Sequence, residues 1–187
     1  MSNLQRLLKK NPVIPALKDD KQLNTALKSS SEVLFIMFGN ICNIDNIVSS
    51  AKNNGKIVFV HMDLIDGLQS NEHAVKFIKQ NTNADGIITT RSKNIKIAKE
   101  NDLMAVQRIF LLDSLSIETA VAQMKSSNCD AIEILPGIIP KIILKLKRYS
   151  KVPLIAGGLI SHKDDMLEAL NAGATAISTT SSDIWQK

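Results

Sequence analysis

The sequence predicts a closed (β/α)8 barrel of the TIM type, and three observations carry that prediction. Short β-branched runs alternate with segments of helical period from end to end. Most of the runs are continuously apolar, as strands buried on both faces are. Eight of them recur at intervals of about 20 to 30 residues, whereas an open doubly wound sheet usually needs only five or six. Such alternation implies a parallel sheet with helical crossovers. At 187 residues the chain is slightly small for this fold, so its helices must be short. No linker-like stretch breaks the rhythm, and one barrel domain over residues 1–187 is expected.

Strands are expected at residues 13–17, 33–39, 57–64, 86–90, 104–110, 131–135, 153–156 and 176–180. Ile44, Ile47, Val48 and Ala51 fall at helical spacing, with Asn43 as the cap and Gly55 as the stop. Ile139, Ile142, Ile143 and Leu146 repeat that spacing, and Pro140 suits a first helical turn. Ser161 with Asp164 resembles a capping box, and Gly173 ends the helix that follows. The sequence stops soon after Ile184-Trp185, so a truncated final helix is expected.

Composition narrows the class. With 44% hydrophobic and 22% charged residues, eight glycines and five prolines, collagen-like, low-complexity and disordered chains are excluded. No apolar run approaches the roughly 18 residues of a spanning helix. The opening MSNLQRLLKKNPVIPALKDD lacks the apolar stretch of a signal peptide, which points to the cytoplasm. Cys42 and Cys129 show neither CxxC nor Cys/His metal spacing, and are expected as reduced, half-buried thiols. A formal charge of +5 permits an acidic partner such as RNA or a phosphate ester, and equally serves solubility.

In such a barrel, chemistry sits where strands end. Those positions hold Gly39-Asn40, His61 and Asp63, Thr90-Arg91, Arg108, Glu133 with Pro136-Gly137, Gly157-Gly158, and Thr179-Thr180-Ser181. The last two groups close the seventh and eighth strands, the loops that commonly hold phosphate esters. Glycine lets amides approach phosphate oxygens, hydroxyls add donors, and a short helix end adds a favourable field. The plain alternative is a tight turn plus a helix cap.

His61 and Asp63, two residues apart, are expected on one side of the third strand, where they contact a ligand. Alternatively the histidine is a hydrogen-bonded core residue and the aspartate caps a turn. Arg91 and Arg108 offer forked donors for an anion, or pair with Asp63 or Glu133 in a buried polar belt. Lys141, Lys145 and Arg148, extended by Lys147 and Lys151, form a basic helix face. It could track an RNA backbone, although an outer barrel helix must have a polar face anyway. Only 4% of residues are aromatic, which argues against base stacking.

The segments HMDLIDGL, ITTRSKNIKIAKE, AVQRIFLLDS, IEILPGIIPK, IAGGLIS and AGATAISTTSSDIW together resemble the glycerol-3-phosphate-responsive antiterminator family, the glycerol uptake operon antiterminator regulatory proteins. NPVIPAL and Phe38-Gly39-Asn40-Ile41 also fit, and the likeness runs from about Pro12 to Trp185. Its most specific portions are His61–Ile65, Thr90-Arg91-Ser92 and Gln107-Arg108.

The resemblance implies a regulator without a cofactor. Glycerol 3-phosphate is its regulatory ligand, and leader mRNA of glycerol-utilisation genes is its target, so that a terminator is bypassed. By position, Gly157, Gly158, Thr179 and Thr180, with Ser181, would cradle the phosphate. His61, Asp63, Arg91 and Arg108, with Glu133 nearby, would face the glycerol. The RNA face, the set Lys141, Lys145, Lys147, Arg148 and Lys151, is inferred from charge alone. A barrel enzyme (an isomerase, epimerase or lyase) acting on a small phosphorylated metabolite is the main alternative, with His61 and Glu133 as its acid/base couple. A scaffold with a vestigial pocket is a third. The sequence is compatible with a homo-oligomer, and no membrane partner is expected.

Overall fold

The computed structural model describes residues 2–185. A helix at Asn3–Lys10 (α1) precedes eight parallel strands: β1 Val13–Leu17, β2 Val33–Ile36, β3 Ile57–His61, β4 Gly86–Thr89, β5 Met104–Phe110, β6 Ala131–Leu135, β7 Leu154–Gly157 and β8 Ala176–Thr179. Each strand pairs with its sequence neighbour, and β8 pairs with β1 to close the barrel. The crossovers are α2 Leu23–Lys28, α3 Ile44–Asn53, α4 Glu72–Asn81, α5 Ser92–Glu100, α6 Ser114–Ser126, α7 Pro140–Lys147 and α8 Lys163–Asn171. A last helix, α9 Ser182–Trp185, follows β8. Residues 186 and 187, the tail of the truncated-helix expectation, lie outside the described residues. Among the described residues no helix is long and apolar enough to cross a membrane.

The continuous apolar runs follow from packing on both faces. Val33 and Phe35 of β2 point into the barrel, while Leu34 and Ile36 point outward to the helices. The inner cluster includes Ile14, Ala16, Phe35, Phe59, Ile88, Val106, Ala131, Ile155 and Ala176, and Phe35 meets Phe59 edge-on at 5.8 Å. Leu4 and Leu8 of α1 are buried in that same cluster, so α1 stoppers the end where the strands begin. The opposite end, where the strands finish, is the mouth.

Strand and helix limits depart from expectation at places with local causes. The second run stops at Ile36, short of Gly39, which turns the chain with φ +109. The third stops at His61, and a 3₁₀ turn at Met62–Leu64 follows. β7 begins after Pro153, whose nitrogen has no hydrogen for a ladder. Asn43 precedes α3, but its Oδ1 accepts from the Asn40 amide at 2.8 Å instead of capping the helix. Ile139 lies just outside α7 and is exposed, so it is not part of that helix's buried stripe. At α8 the capping carboxylate is Asp165, not Asp164: it accepts from the Ser161 and His162 amides at 3.0 and 2.9 Å. The two thiols are not half-buried. Cys42 is exposed, whereas Cys129 is buried, and that burial pushes its pKa up.

Candidate functional site

At the mouth, inward-facing positions of four strands change from apolar to polar two residues further along. Phe59 is followed by His61, Val106 by Arg108, Ala131 by Glu133 and Ala176 by Ser178. The period of two in a strand places these polar groups in one layer above the apolar cluster. Register sets Arg108 beside Glu133 and Ser178 beside Gly157.

Glu133 is the hub of that layer. Arg108 Nε donates to its Oε2 at 2.6 Å, and Ser178 Oγ donates to its Oε1. Glu133 is fully buried and Arg108 is only 7% exposed, so each charge depends on the other for compensation. Of the two sequence readings of Arg108, the polar belt with Glu133 is therefore present. Arg108 still has donors to give. One terminal nitrogen rests only on Met37 Sδ at 3.4 Å, a weak acceptor for a guanidinium. Gly157 is obligatory beside this hub, since an added Cβ would lie 2.6 Å from Ser178 Oγ and 2.7 Å from Glu133 Oε1.

The β7 and β8 turns meet above the hub. Thr179 Oγ1 donates to Ile160 O at 2.6 Å, and Ser181 Oγ donates to Ser161 O at 3.2 Å. Trp185 Nε1 donates to Thr179 O at 3.0 Å, which pins α9 beneath the turn. The Ser181 amide is committed to Thr179 Oγ1 at 3.0 Å. The amides of Gly158, Thr180 and Ser182 enter no hydrogen bond among the described residues. Gly158 takes φ +73, a conformation suited to glycine. A cavity of about 410 Å³ opens here, walled by Gly158, Thr179, Thr180 and Ser181 and floored by Arg108, Glu133 and Ser178. α9 has four residues, too few to supply the helix-end field expected of it.

Not every sequence candidate reaches this cavity. His61 is buried in the same polar layer, and its Nδ1 has no hydrogen-bond partner among the described residues. Burial, reinforced by the nearby Arg108 charge, lowers its pKa to about 4 against a partly opposing pull from Asp63. The ring is therefore neutral at physiological pH.

Asp63 does not share a strand face with His61. It sits in the 3₁₀ turn and clasps the end of β4, accepting from the Thr90 amide at 2.8 Å, from the Thr89 and Thr90 hydroxyls at 3.1 to 3.2 Å, and from Ser70 Oγ. Burial favours a raised carboxyl pKa, but these hydrogen bonds and His61 outweigh it, leaving Asp63 below its ordinary value. Arg91 pairs with neither Asp63 nor Glu133; its Nη1 donates to Ser70 O at 3.0 Å. Asn94 completes this clasp by donating to Ser70 Oγ at 3.0 Å. Both Asp63 and Arg91 thus brace the β3–β4 side of the mouth, away from the cavity wall.

Ser178, Met37 and Ser70 were not singled out individually from sequence. The signal for Ser178 was available, since it lies two residues after inward-facing Ala176. Met37 likewise follows inward-facing Phe35 by two residues, whereas Ser70 carries no such pattern. Gln107 faces outward and ties two helices together, donating to Ser92 Oγ at 2.9 Å and Gln123 Oε1 at 3.1 Å. Lys141, Lys145 and Lys147 lie on α7, Arg148 at its C-cap and Lys151 beyond it. All five are exposed, and none enters an ion pair among the described residues.

Comparison with known proteins adds an independent line. The family model for the glycerol-3-phosphate responsive antiterminator matches residues 13–185. An uncharacterized Escherichia coli protein, YgcP, is 42% identical over 182 residues, spanning 97% of this chain and 95% of that protein. The crystal structure of a glycerol uptake operon antiterminator regulatory protein from Listeria monocytogenes superposes with a TM-score of 0.89 at 32% identity, over 94% of this chain and 95% of the other. A glycerol uptake operon antiterminator-related protein from Thermotoga maritima does so with a TM-score of 0.82 at 36% identity, over 92% and 96%.

Proposed function

Because the chain belongs to the glycerol-3-phosphate responsive antiterminator family, we propose that it senses glycerol 3-phosphate in the barrel mouth and, when occupied, binds leader mRNA of glycerol-utilisation genes so that a terminator is bypassed. The observation that carries this reading is the joined β7 and β8 turns, with uncommitted amides, above an Arg108 with donors to spare. The phosphate lies against Gly158, Thr180 and the start of α9. The glycerol hydroxyls point down to Arg108 and Glu133, a donor and an acceptor side by side. His61 lies deeper in the same layer, within reach of Arg108's field. Asp63 and Arg91 act at one remove, by holding the loop that borders the mouth.

Membership in the antiterminator family favours sensing over turnover; each Glu133 oxygen accepts one hydrogen bond and keeps a lone pair for a ligand hydroxyl. RNA is met by the exposed cations at Lys141, Lys145, Lys147, Arg148 and Lys151. Ligand raises RNA affinity only to the extent that it binds the RNA-competent conformation better, and ordering of the mouth loops provides that difference.

The test is a gel shift with a glycerol-operon leader RNA, run with and without glycerol 3-phosphate. Tighter binding with the ligand, and a steep fall with salt, is expected; equal affinities refute the reading. Recovery of unchanged glycerol 3-phosphate together with a raised melting temperature separates a sensor from an enzyme, which would turn the ligand over.

A further inference from the structure

Around part of the mouth six large apolar side chains are exposed, with Asp113 and Ser114 exposed among them. Phe110, Leu112 and Leu115 rise from the end of β5 and the start of α6, Ile138 and Ile139 from the turn before α7, and Leu159 from the β7 turn. Their exposures are 48, 84, 70, 40, 38 and 70% in that order. The three turns are contiguous, since β5, β6 and β7 are neighbours and backbone bonds join Leu111 to Leu135 and Gly137 to Gly158. A fully exposed residue of this bulk presents on the order of 200 Å², so the six uncover on the order of 700 Å². The largest apolar patch on a monomer is usually about 300–600 Å². Each partner in a standard interface contributes about 800 Å². Leu159 is notable in a second way: it holds φ +62, a left-handed conformation unfavourable for a side chain with a Cβ, and in it presents an apolar group to water.

We propose that this arc is the contact through which two copies of the chain pair, mouth toward mouth, about a twofold axis. Charge at the two ends of the arc favours a second copy over another partner. Exposed Arg91 and Lys93 flank it on the β4 side, while exposed Asp164 and Asp183 outnumber Lys163 on the β7–β8 side. A twofold axis through the middle of the arc lays one copy's cationic end over the other's acidic end. RNA is a poor occupant, because a polyanion gains its affinity from cations. Phe110 is the aromatic anchor such a contact needs.

Sedimentation velocity on the full chain, across the micromolar range and without ligand, tests this. A dimer is expected. Leu112→Glu and Leu159→Glu, at exposed positions that leave the core intact, should each weaken it at least tenfold with an unchanged circular dichroism spectrum. Leu144→Glu, also at an exposed position but on the outer face of α7, should leave the dimer as it is. A monomeric wild type, a dimer indifferent to both mouth variants, or one broken by Leu144→Glu overturns the proposal.

Discussion

Arg108 and Glu133 stabilise each other only as a pair. Glu133→Gln leaves a buried guanidinium without its counterion, at a cost of about 3–5 kcal/mol, and a melting temperature roughly 10 °C lower is expected. The double substitution Arg108→Met with Glu133→Leu removes both charges and should recover most of that loss while abolishing glycerol 3-phosphate binding. Calorimetry on the three proteins decides it. His61 sets an acid limit. Its folded pKa of about 4 lies below the ordinary 6.5, so between those values the unfolded chain binds more protons. Stability therefore rises with pH through that window and is fully present above it, with an amplitude on the order of 3 kcal/mol. Denaturant titrations at pH 4.5 and 7.5 should show this loss in the wild type and a much smaller one in His61→Gln. Residue types and strand-end positions made Arg108, Glu133 and His61 legible in the sequence. What hid the role of Asp63 was the 3₁₀ turn at Met62–Leu64: once the strand ends at His61, period-two reasoning no longer says where a side chain points.

At the level of elements, β1, β5 and β6 match their expected limits, because largely apolar runs bounded by polar turns leave little freedom. Caps were less legible. Neighbouring carboxylates such as Asp164 and Asp165 are equivalent on paper, and only the entry angle of the chain selects Asp165. The turn before α8 matters most for ligand binding. Gly157→Ala forces a Cβ against Ser178 and Glu133; a loss of about 1–3 kcal/mol in stability should accompany weaker uptake of glycerol 3-phosphate, measured by titration calorimetry. α7 is independent of that site. Charge reversal at Lys145 and Arg148 should weaken RNA binding and flatten its salt dependence, while the ligand-induced thermal shift stays intact. RNA affinity unaltered by the reversal would move the RNA contact to another face.

For the whole molecule, ligand binding and folding are linked by mass action. Glycerol 3-phosphate at one hundred times its dissociation constant should add about 2.7 kcal/mol, a rise of several degrees by differential scanning fluorimetry. Glycerol alone should produce far less if the phosphate supplies the larger share of contacts. The barrel itself was readable because its eight repeats each carry the same two-sided apolar signature. The joining of the β7 and β8 turns was foreseeable only through that architecture, since nothing in AGGLIS or STTSS states that the two segments touch.

The stopper formed by Leu4 and Leu8 has a kinetic consequence. With the bore filled by the inner cluster and closed below by α1, a guest of the mouth would enter and leave across the same rim. A contact that covered that rim would slow entry and exit alike, so a guest bound beneath it would outlast the fall in its own concentration.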